Sequence, residues 1–421
     1  MIQAAPSLPQ STGEIDTVLL TGATGFLGRY LALEWLERFA QAKGTLVCLV
    51  RASDDIEARK RLDDTFDTGD AALLRRYRDL AAAHLEVLAA DKSLPSLGLP
   101  PHAWQRLTDT VDLIVDCAAA VNHILPYRQL FGPNVIGTAE LLKIALTTKA
   151  KPVCFTSTVG LAVGLPPGTL SENTDIRQII SSRPVSDSYA NGYANSKWAG
   201  EVLLADAHER CGLPVSVFRC GMILSAPCHA GQVNVSDMFT RLLFSLVATG
   251  IAPDSFYPAG LNGSRRRAHY DGMRVDFVAE AIAALGAQRV SGHRTFNMLN
   301  QVDDGIGFDT FVDWLIEAGY PIARVPGYGD WFQRFTAALQ ALPERQRRRS
   351  LLPLIGSYQR PMLAHRGDVV PATRFAAAVR DAGIAGGCIP GITKDMIVKY
   401  IADLHLLDIL GDIQIRRPEF T

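Results

Sequence analysis

A chain of 421 residues that is 48% hydrophobic and 20% charged can bury a large core and is too apolar to stay disordered. Its 42 Lys plus Arg cancel its 43 Asp plus Glu, which excludes the basic balance of a nucleic-acid binder. No apolar run is long enough to span a bilayer and no signal segment opens the chain, so no membrane partner is expected and the expected compartment is the cytoplasm.

Residues 1–14, rich in Pro, Ser and Gln, read as a linker, as if the chain were a module cut from something longer. From Asp16 strand and helix alternate: "DTVLL", an amphipathic helix over 26–40, then "TLVCLV". The segment 53–83 is too long for one crossover helix and is predicted to form two, broken near Thr68 and Gly69. Later strands are "HLEVLAA", "DLIVDCAAA", "PVCFTST" and "PVSVFRC". Short apolar strands separated by helices predict a doubly wound parallel sheet covered on both faces.

After residue 222 the alternation weakens. "SDMFTRLLFSLVATG" predicts a helix capped by Ser236 and ended by Gly250, and "RVDFVAEAIAALG" another, followed by a strand "RTFNMLN". Four helical stretches then carry the chain to its end. The expected organisation is a linker over 1–14, a sheet domain over 15–222, and a mainly helical substrate-side region over 223–421, from which 270–300 returns to the sheet. Seven scattered cysteines, with no C-x-x-C and no zinc-ligand spacing, predict neither disulfides nor a structural metal.

"VLLTGATGFLG" joins the first strand directly to a helix, with Gly22, Gly25 and Gly28 spaced three apart. The first glycine permits a tight turn, the second lets backbone approach a pyrophosphate, and the third packs helix on strand. The phosphates would rest on the helix N-terminus, against the amides of Thr24, Gly25, Phe26 and Leu27. The second strand ends in Arg51 where an NAD-binding chain usually carries an acid. Arg51, with Arg61 on the next helix, suits a ribose 2′-phosphate, so NADPH is the expected cofactor. Asp91 and Lys92 follow the third strand, with Asp91 expected near the adenine amine. Ala118, Ala119 and Ala120 end the fourth, small enough for the backbone to approach the cofactor.

The fifth strand ends in Thr156, Ser157 and Thr158, at the carboxyl edge where such sheets bind ligands. Either Ser157 or Thr158 is expected to face the site. Tyr193 and Lys197 follow, one helical turn apart in "YANGYANSK". A hydroxyl, a phenol and an ammonium form a proton-delivery set for an oxygen that gains charge as hydride reaches its carbon. The ammonium is expected to favour the ionised phenol. Tyr189, eight residues before Lys197, is expected to shape the substrate side or start the helix.

"TGATGFLG", "STV" and "YANSK" resemble the extended short-chain dehydrogenase/reductase superfamily. "LVRASDDIEARKRLDDTF", "NHILPYRQLFGPNVIGTAELL", "YANGYANSKWAGEVLL" and "FRCGMILS" resemble the terminal reductase domains of carboxylic acid reductases and nonribosomal peptide synthetases. The resemblance implies a Rossmann-like fold and catalytic Thr158, Tyr193 and Lys197. It implies reductive release of an acyl thioester from the phosphopantetheine arm of an upstream carrier domain, itself fed by an adenylation domain, as an aldehyde. One departure is Gly221 in "RCGMIL", where that family commonly carries Asp. This strand end should pass near the nicotinamide. Loss of the carboxylate is expected to relax a gate, so that free aldehyde is reduced further to alcohol.

Arg265–Arg267 and Arg347–Arg349 read as solvated faces before they read as a carrier or phosphate contact. Met238, Phe239, Leu242, Leu243 and Leu246 read as core before they read as an acyl pocket. Alternatives to the thioester reductase are a free acyl-CoA reductase, a nucleotide-sugar epimerase or dehydratase, and a non-enzymatic NADPH sensor. Arg51 argues against the sugar enzymes and the intact Tyr/Lys pair against the sensor.

Overall fold

The apolar runs of the N-terminal half pair side by side in parallel. The computed structural model describes residues 8–11, 14–121, 125–186, 190–260, 263–288 and 291–411. In chain order its strands are β1 Thr17–Thr21, β2 Thr45–Val50, β3 Leu85–Ala89, β4 Leu113–Asp116, β5 Val153–Thr158 and β6 Val215–Cys220. There follow β7 Ile223–Leu224, β8 Ile251–Pro253, β9 Met273–Arg274, β10 His293–Met298 and β11 Ala323–Val325. Seven of them make one sheet in the order β10-β6-β5-β4-β1-β2-β3. The chain works outward from β1 through β2 to β3, then returns to β4 on the other side of β1. The β1/β4 boundary is therefore the switch point at which doubly wound sheets hold ligands.

Strand alternation divides the buried residues between two faces. Leu19, Val47, Leu49, Ile114, Phe155 and Val217 face one way, against Leu107, Leu141 and Leu204 of three covering helices. Val18, Leu20, Cys48, Val50 and Val115 face the other, against α1 (Phe26–Gln41) and the helix Val275–Ala287. With both faces covered, these strands read as nearly continuous apolar runs. Each fully buried Leu, Val or Phe contributes about 1.5–3 kcal/mol through removal from water.

The segment 53–83 forms α2 (Asp55–Asp64) and α3 (Ala71–His84), broken where expected. Side chains supply both starts: Asp54 accepts from the Glu57 amide, and Asp70 from those of Ala72 and Leu73. The remaining helices follow the sequence reading, with two corrections at chain level. The helix Met238–Thr249 is capped by Asp237, which accepts from the Thr240 amide at 2.7 Å, whereas Ser236 turns to Asn234. Residues 8–11, expected to be linker, are tied down: Gln10 bridges to Ala150, and Ser11 donates its amide to the Ala150 carbonyl at 3.1 Å.

The C-terminal half has its own core, in which Phe239, Leu242, Leu243 and Leu246 pack with Trp331, Phe335 and Tyr400. Met238 packs against its margin. Two short parallel pairs, β8–β11 and β7–β9, were not evident in the sequence. β10 completes the edge of the large sheet beside β6. Among the described residues no helix is long and apolar enough to cross a membrane.

Candidate active site

The turn after β1 lies against the end of β4. Gly22 has φ +79°, and a Cβ there would come within 2.7 Å of the Ala118 amide nitrogen. A Cβ on Gly28 would lie 1.9 Å from the Gly22 carbonyl oxygen, a backbone atom that cannot give way. Glycine at both positions thus brings the start of α1 against the turn. Gly25 caps α1 with no side-chain acceptor for its first-turn amides, which is the arrangement a pyrophosphate requires. Thr24 and Phe26 are half-buried, Gly25 is exposed, and Leu27 packs inward. The cradle fits a dinucleotide on these grounds.

Arg51 leaves β2 exposed, and the exposed Arg61 on α2 donates to the Arg51 carbonyl. The Arg61 guanidinium therefore lies at the backbone just past the end of β2. Asp91 accepts from the Ser93 amide and hydroxyl at 2.8 and 2.6 Å. Burial opposes its ionisation, but the Ser93 bonds and the Arg51 charge hold its carboxyl below the ordinary range. Lys92 is committed elsewhere than its sequence position suggests. Its ammonium pairs with buried Asp116 at 2.5 Å and donates to the Ala118 carbonyl at 3.2 Å, so it braces the β4 end from behind.

At the end of β5, Thr158 accepts the Gly160 amide at 3.0 Å, which leaves its hydroxyl proton free to be donated. Ser157 is spent on structure: it is buried and donates to Glu201 at 2.5 Å. Of the two hydroxyls, Thr158 is the one left for a ligand. Tyr193 and Lys197 lie on the helix Asn191–Cys211, with the Lys197 ammonium 4.3 Å from the Phe155 ring centroid. Burial lowers the Lys197 pKa to about 8, partly opposed by Asp116. Burial also raises the Tyr193 phenol well above its ordinary value. Burial thus acts on the phenol against the direction expected from a neighbouring ammonium. A phenol that keeps its proton is a proton donor. Tyr189 lies outside the described residues.

Two polar networks support this set. Asn134 accepts the Ala120 amide at 2.7 Å and donates to Ser196 at 2.9 Å, and Ser196 donates to the Tyr193 carbonyl at 2.7 Å. Asp116 accepts from Thr21 at 2.6 Å and from Thr138 at 3.3 Å, besides Lys92. Neither Asn134 nor Asp116 was singled out in the sequence. "NVIGT" and "VDCAAA" were the available signals, an amide and a carboxylate set among residues that are otherwise apolar or small.

Residues 20–282 match the family model described as male sterility protein, an NAD-binding family. The chain is 60% identical over 407 residues to a carboxylic acid reductase of Mycobacterium marinum, covering 96% of this chain and 35% of that protein. It is 53% identical to an isonitrile lipopeptide synthase of Mycobacterium tuberculosis, covering 97% of this chain and 17% of that protein. The crystal structure of the reductase (R) domain of a nonribosomal peptide synthetase from Mycobacterium tuberculosis superposes with a TM-score of 0.89 at 52% identity, covering 96% of this chain and 94% of that one. The chain belongs to the family of these reductase domains. This reductase domain spans about a third of the length of the carboxylic acid reductases it matches. It is an oxidoreductase of the nicotinamide-dependent type, and the sugar epimerases share its fold at 15% identity or less.

In the reductase domain Gly221 follows β6 and donates its amide to the Met298 carbonyl at 3.2 Å. A Cβ there would meet Leu299 Cδ2 at 2.5 Å, so a side chain at 221 must displace Leu299. Three arginines of the two basic clusters pair with acids within the chain. Arg265 pairs with Asp313 and Arg267 with Asp303, while Arg348 pairs with Glu344.

Proposed function

We propose that this domain releases an acyl group, held as a thioester on the phosphopantetheine arm of an upstream carrier domain, by NADPH-dependent reduction to an aldehyde. The single observation that carries the reading is that the Lys197 ammonium, one helical turn from Tyr193, lies 4.3 Å from the ring centroid of Phe155, on the strand that ends in Thr158. Arg51 after β2, and Arg61, whose guanidinium reaches the Arg51 carbonyl, favour a cofactor with a 2′-phosphate. The bound cofactor would supply hydride to the thioester carbonyl.

The chain's own residues then act on oxygen. Thr158 donates a hydrogen bond to the carbonyl oxygen, which strengthens as charge develops there. Tyr193 transfers its phenolic proton to that oxygen, giving a hemithioacetal. Lys197, protonated below its pKa of about 8, stabilises the phenolate left behind and binds the nicotinamide ribose. Collapse of the hemithioacetal expels the thiol and frees the aldehyde. Residues 15–222 serve the cofactor and 223–421 the acyl and carrier side, with carrier and adenylation domains upstream in a cytoplasmic enzyme; the relatives, of which this chain covers 35%, are long enough to hold such domains. Gly221 in place of an acid removes a charge from the nicotinamide side, so free aldehyde is also reduced, to alcohol.

Replacing Tyr193 by Phe tests the reading. Turnover of an acyl-pantetheine thioester should be abolished while NADPH binding persists, and undiminished turnover refutes the assigned role.

A further inference from the structure

We infer that the buried Glu201–Arg219 ion pair is a positioning device that fixes the catalytic helix against the two strand ends it serves. Tyr193, Lys197 and Glu201 are spaced four apart and share one face of the helix Asn191–Cys211. The Glu201 and Arg219 side chains are each 1% exposed. Arg219 Nε donates to both carboxylate oxygens at 3.0 and 3.1 Å, and Nη2 donates at 2.7 Å. The same carboxylate accepts from Ser157 at 2.5 Å. Ser157 and Arg219 face each other in the β5–β6 register, so one acid on the helix holds both strands. Ser157 adjoins Thr158, and Arg219 stands two residues before Gly221.

The pair also reaches beyond the sheet. Arg219 Nη1 donates to the Ser171 carbonyl at 3.1 Å. The next residue, Glu172, accepts the amides of Asn297, Arg374 and Phe375 at 2.9, 2.7 and 3.0 Å. The start of the helix Thr373–Asp381 is thereby set by the residue adjoining the one Arg219 holds.

Stability is a poor explanation for this arrangement. The desolvation cost of a buried ion pair offsets most of its attraction, and apolar residues of similar volume often replace one at no loss. What a bidentate, planar pairing supplies is fixed geometry. Geometry matters here because a catalytic group displaced by about 1 Å can lose on the order of a hundredfold in rate. Neither residue contacts the reacting atoms; both act through Tyr193, Lys197 and Thr158. The inference rests on the proposed roles of those three residues.

The test is a mutant cycle between Ser157→Ala and the apolar pair Glu201→Leu/Arg219→Met. The assay follows turnover of octanoyl-pantetheine, NADPH affinity by fluorescence, and melting temperature. The apolar pair should melt close to the parent and bind NADPH within about twofold, yet lose at least about thirtyfold in kcat. Ser157→Ala alone should lose about fivefold in kcat without a change in NADPH affinity, and should add no loss to the apolar pair. A folded apolar pair with kcat within twofold of the parent overturns the inference. So does a Ser157→Ala loss of equal size in both backgrounds, which would mean Ser157 acts directly on ligand. If the apolar pair does not fold, Ser157→Ala decides alone, and parental kcat overturns the inference. An inactive Tyr193→Phe in the same assay shows that the catalytic reading stands even where this one fails.

Discussion

The Asn134 amide donates to the Ser196 hydroxyl at 2.9 Å while its oxygen accepts the Ala120 amide at 2.7 Å. One buried side chain thus joins the loop after β4, whose Ala118 lies against the Gly22 turn, to the helix bearing Tyr193 and Lys197. It lies in a π-helical turn, Phe131–Ile136, and such turns recur at functional sites because the wider spiral redirects a side chain.

Replacing Asn134 by Leu should therefore do more than lower stability. The Ala120 amide loses its acceptor, a cost of about 1–3 kcal/mol. We expect a lower melting temperature together with weaker NADPH binding. A variant that melts lower but binds NADPH as the parent does would confine Asn134 to a structural role.

The pH dependence follows from Lys197. Its folded pKa of about 8 lies below the ordinary lysine value because burial disfavours the ammonium. The charged, working form is full below that pH and is lost as pH rises through it. Accordingly kcat/KM should be level towards neutral pH and fall about tenfold per unit well above pH 8. The stability contribution has the opposite sense: the unfolded chain binds more protons, so the burial penalty is relieved as pH rises from about 8 towards the unfolded value. A rate profile that stays level to pH 9.5 would remove Lys197 from the role given it.

Arg51 and Arg61 make a prediction about cofactor choice. Replacing both with Ala should raise the KM for NADPH by about tenfold or more and leave that for NADH nearly unchanged, since only the 2′-phosphate is lost as a partner. Equal loss with both cofactors would show that the arginines hold the fold or the shared part of the nucleotide.

Gly221 differs in kind, because the obstacle to a side chain there is the far end of Leu299 rather than backbone. Gly221→Asp should fold, with Leu299 rotating aside, at a cost of about 0.5–1.5 kcal/mol for a strained rotamer. NADPH oxidation with free aldehyde should fall while thioester reduction persists. Unchanged aldehyde reduction would sever the proposed link between this glycine and alcohol formation.

Much of this was legible in the sequence. The parallel sheet followed from short apolar runs, and the tight turn after β1 from glycines whose neighbours in space prove to be backbone atoms. Strand alternation alone left Ser157 and Thr158 both open, because the partner that holds Ser157 is Glu201, 44 residues further along the chain. The pairing of Lys92 with Asp116, on another strand, was not evident because nothing local betrays it. The burial that raises the Tyr193 phenol was not evident, since a sequence shows a neighbouring charge more readily than burial. The Asp237 cap and the docked residues 8–11 were missed for a similar reason: adjacent candidates are equivalent until tertiary contacts choose between them.

The measurement that bears most directly on the account is product analysis with octanoyl-pantetheine and NADPH, following thiol release, NADPH oxidation and the fate of the acyl group together. The account predicts one thiol and one aldehyde for the first NADPH consumed, with alcohol appearing only as a second is used, and no reaction with Tyr193→Phe. Absence of thiol release from the thioester, or alcohol formed with no aldehyde ever detected, would contradict it.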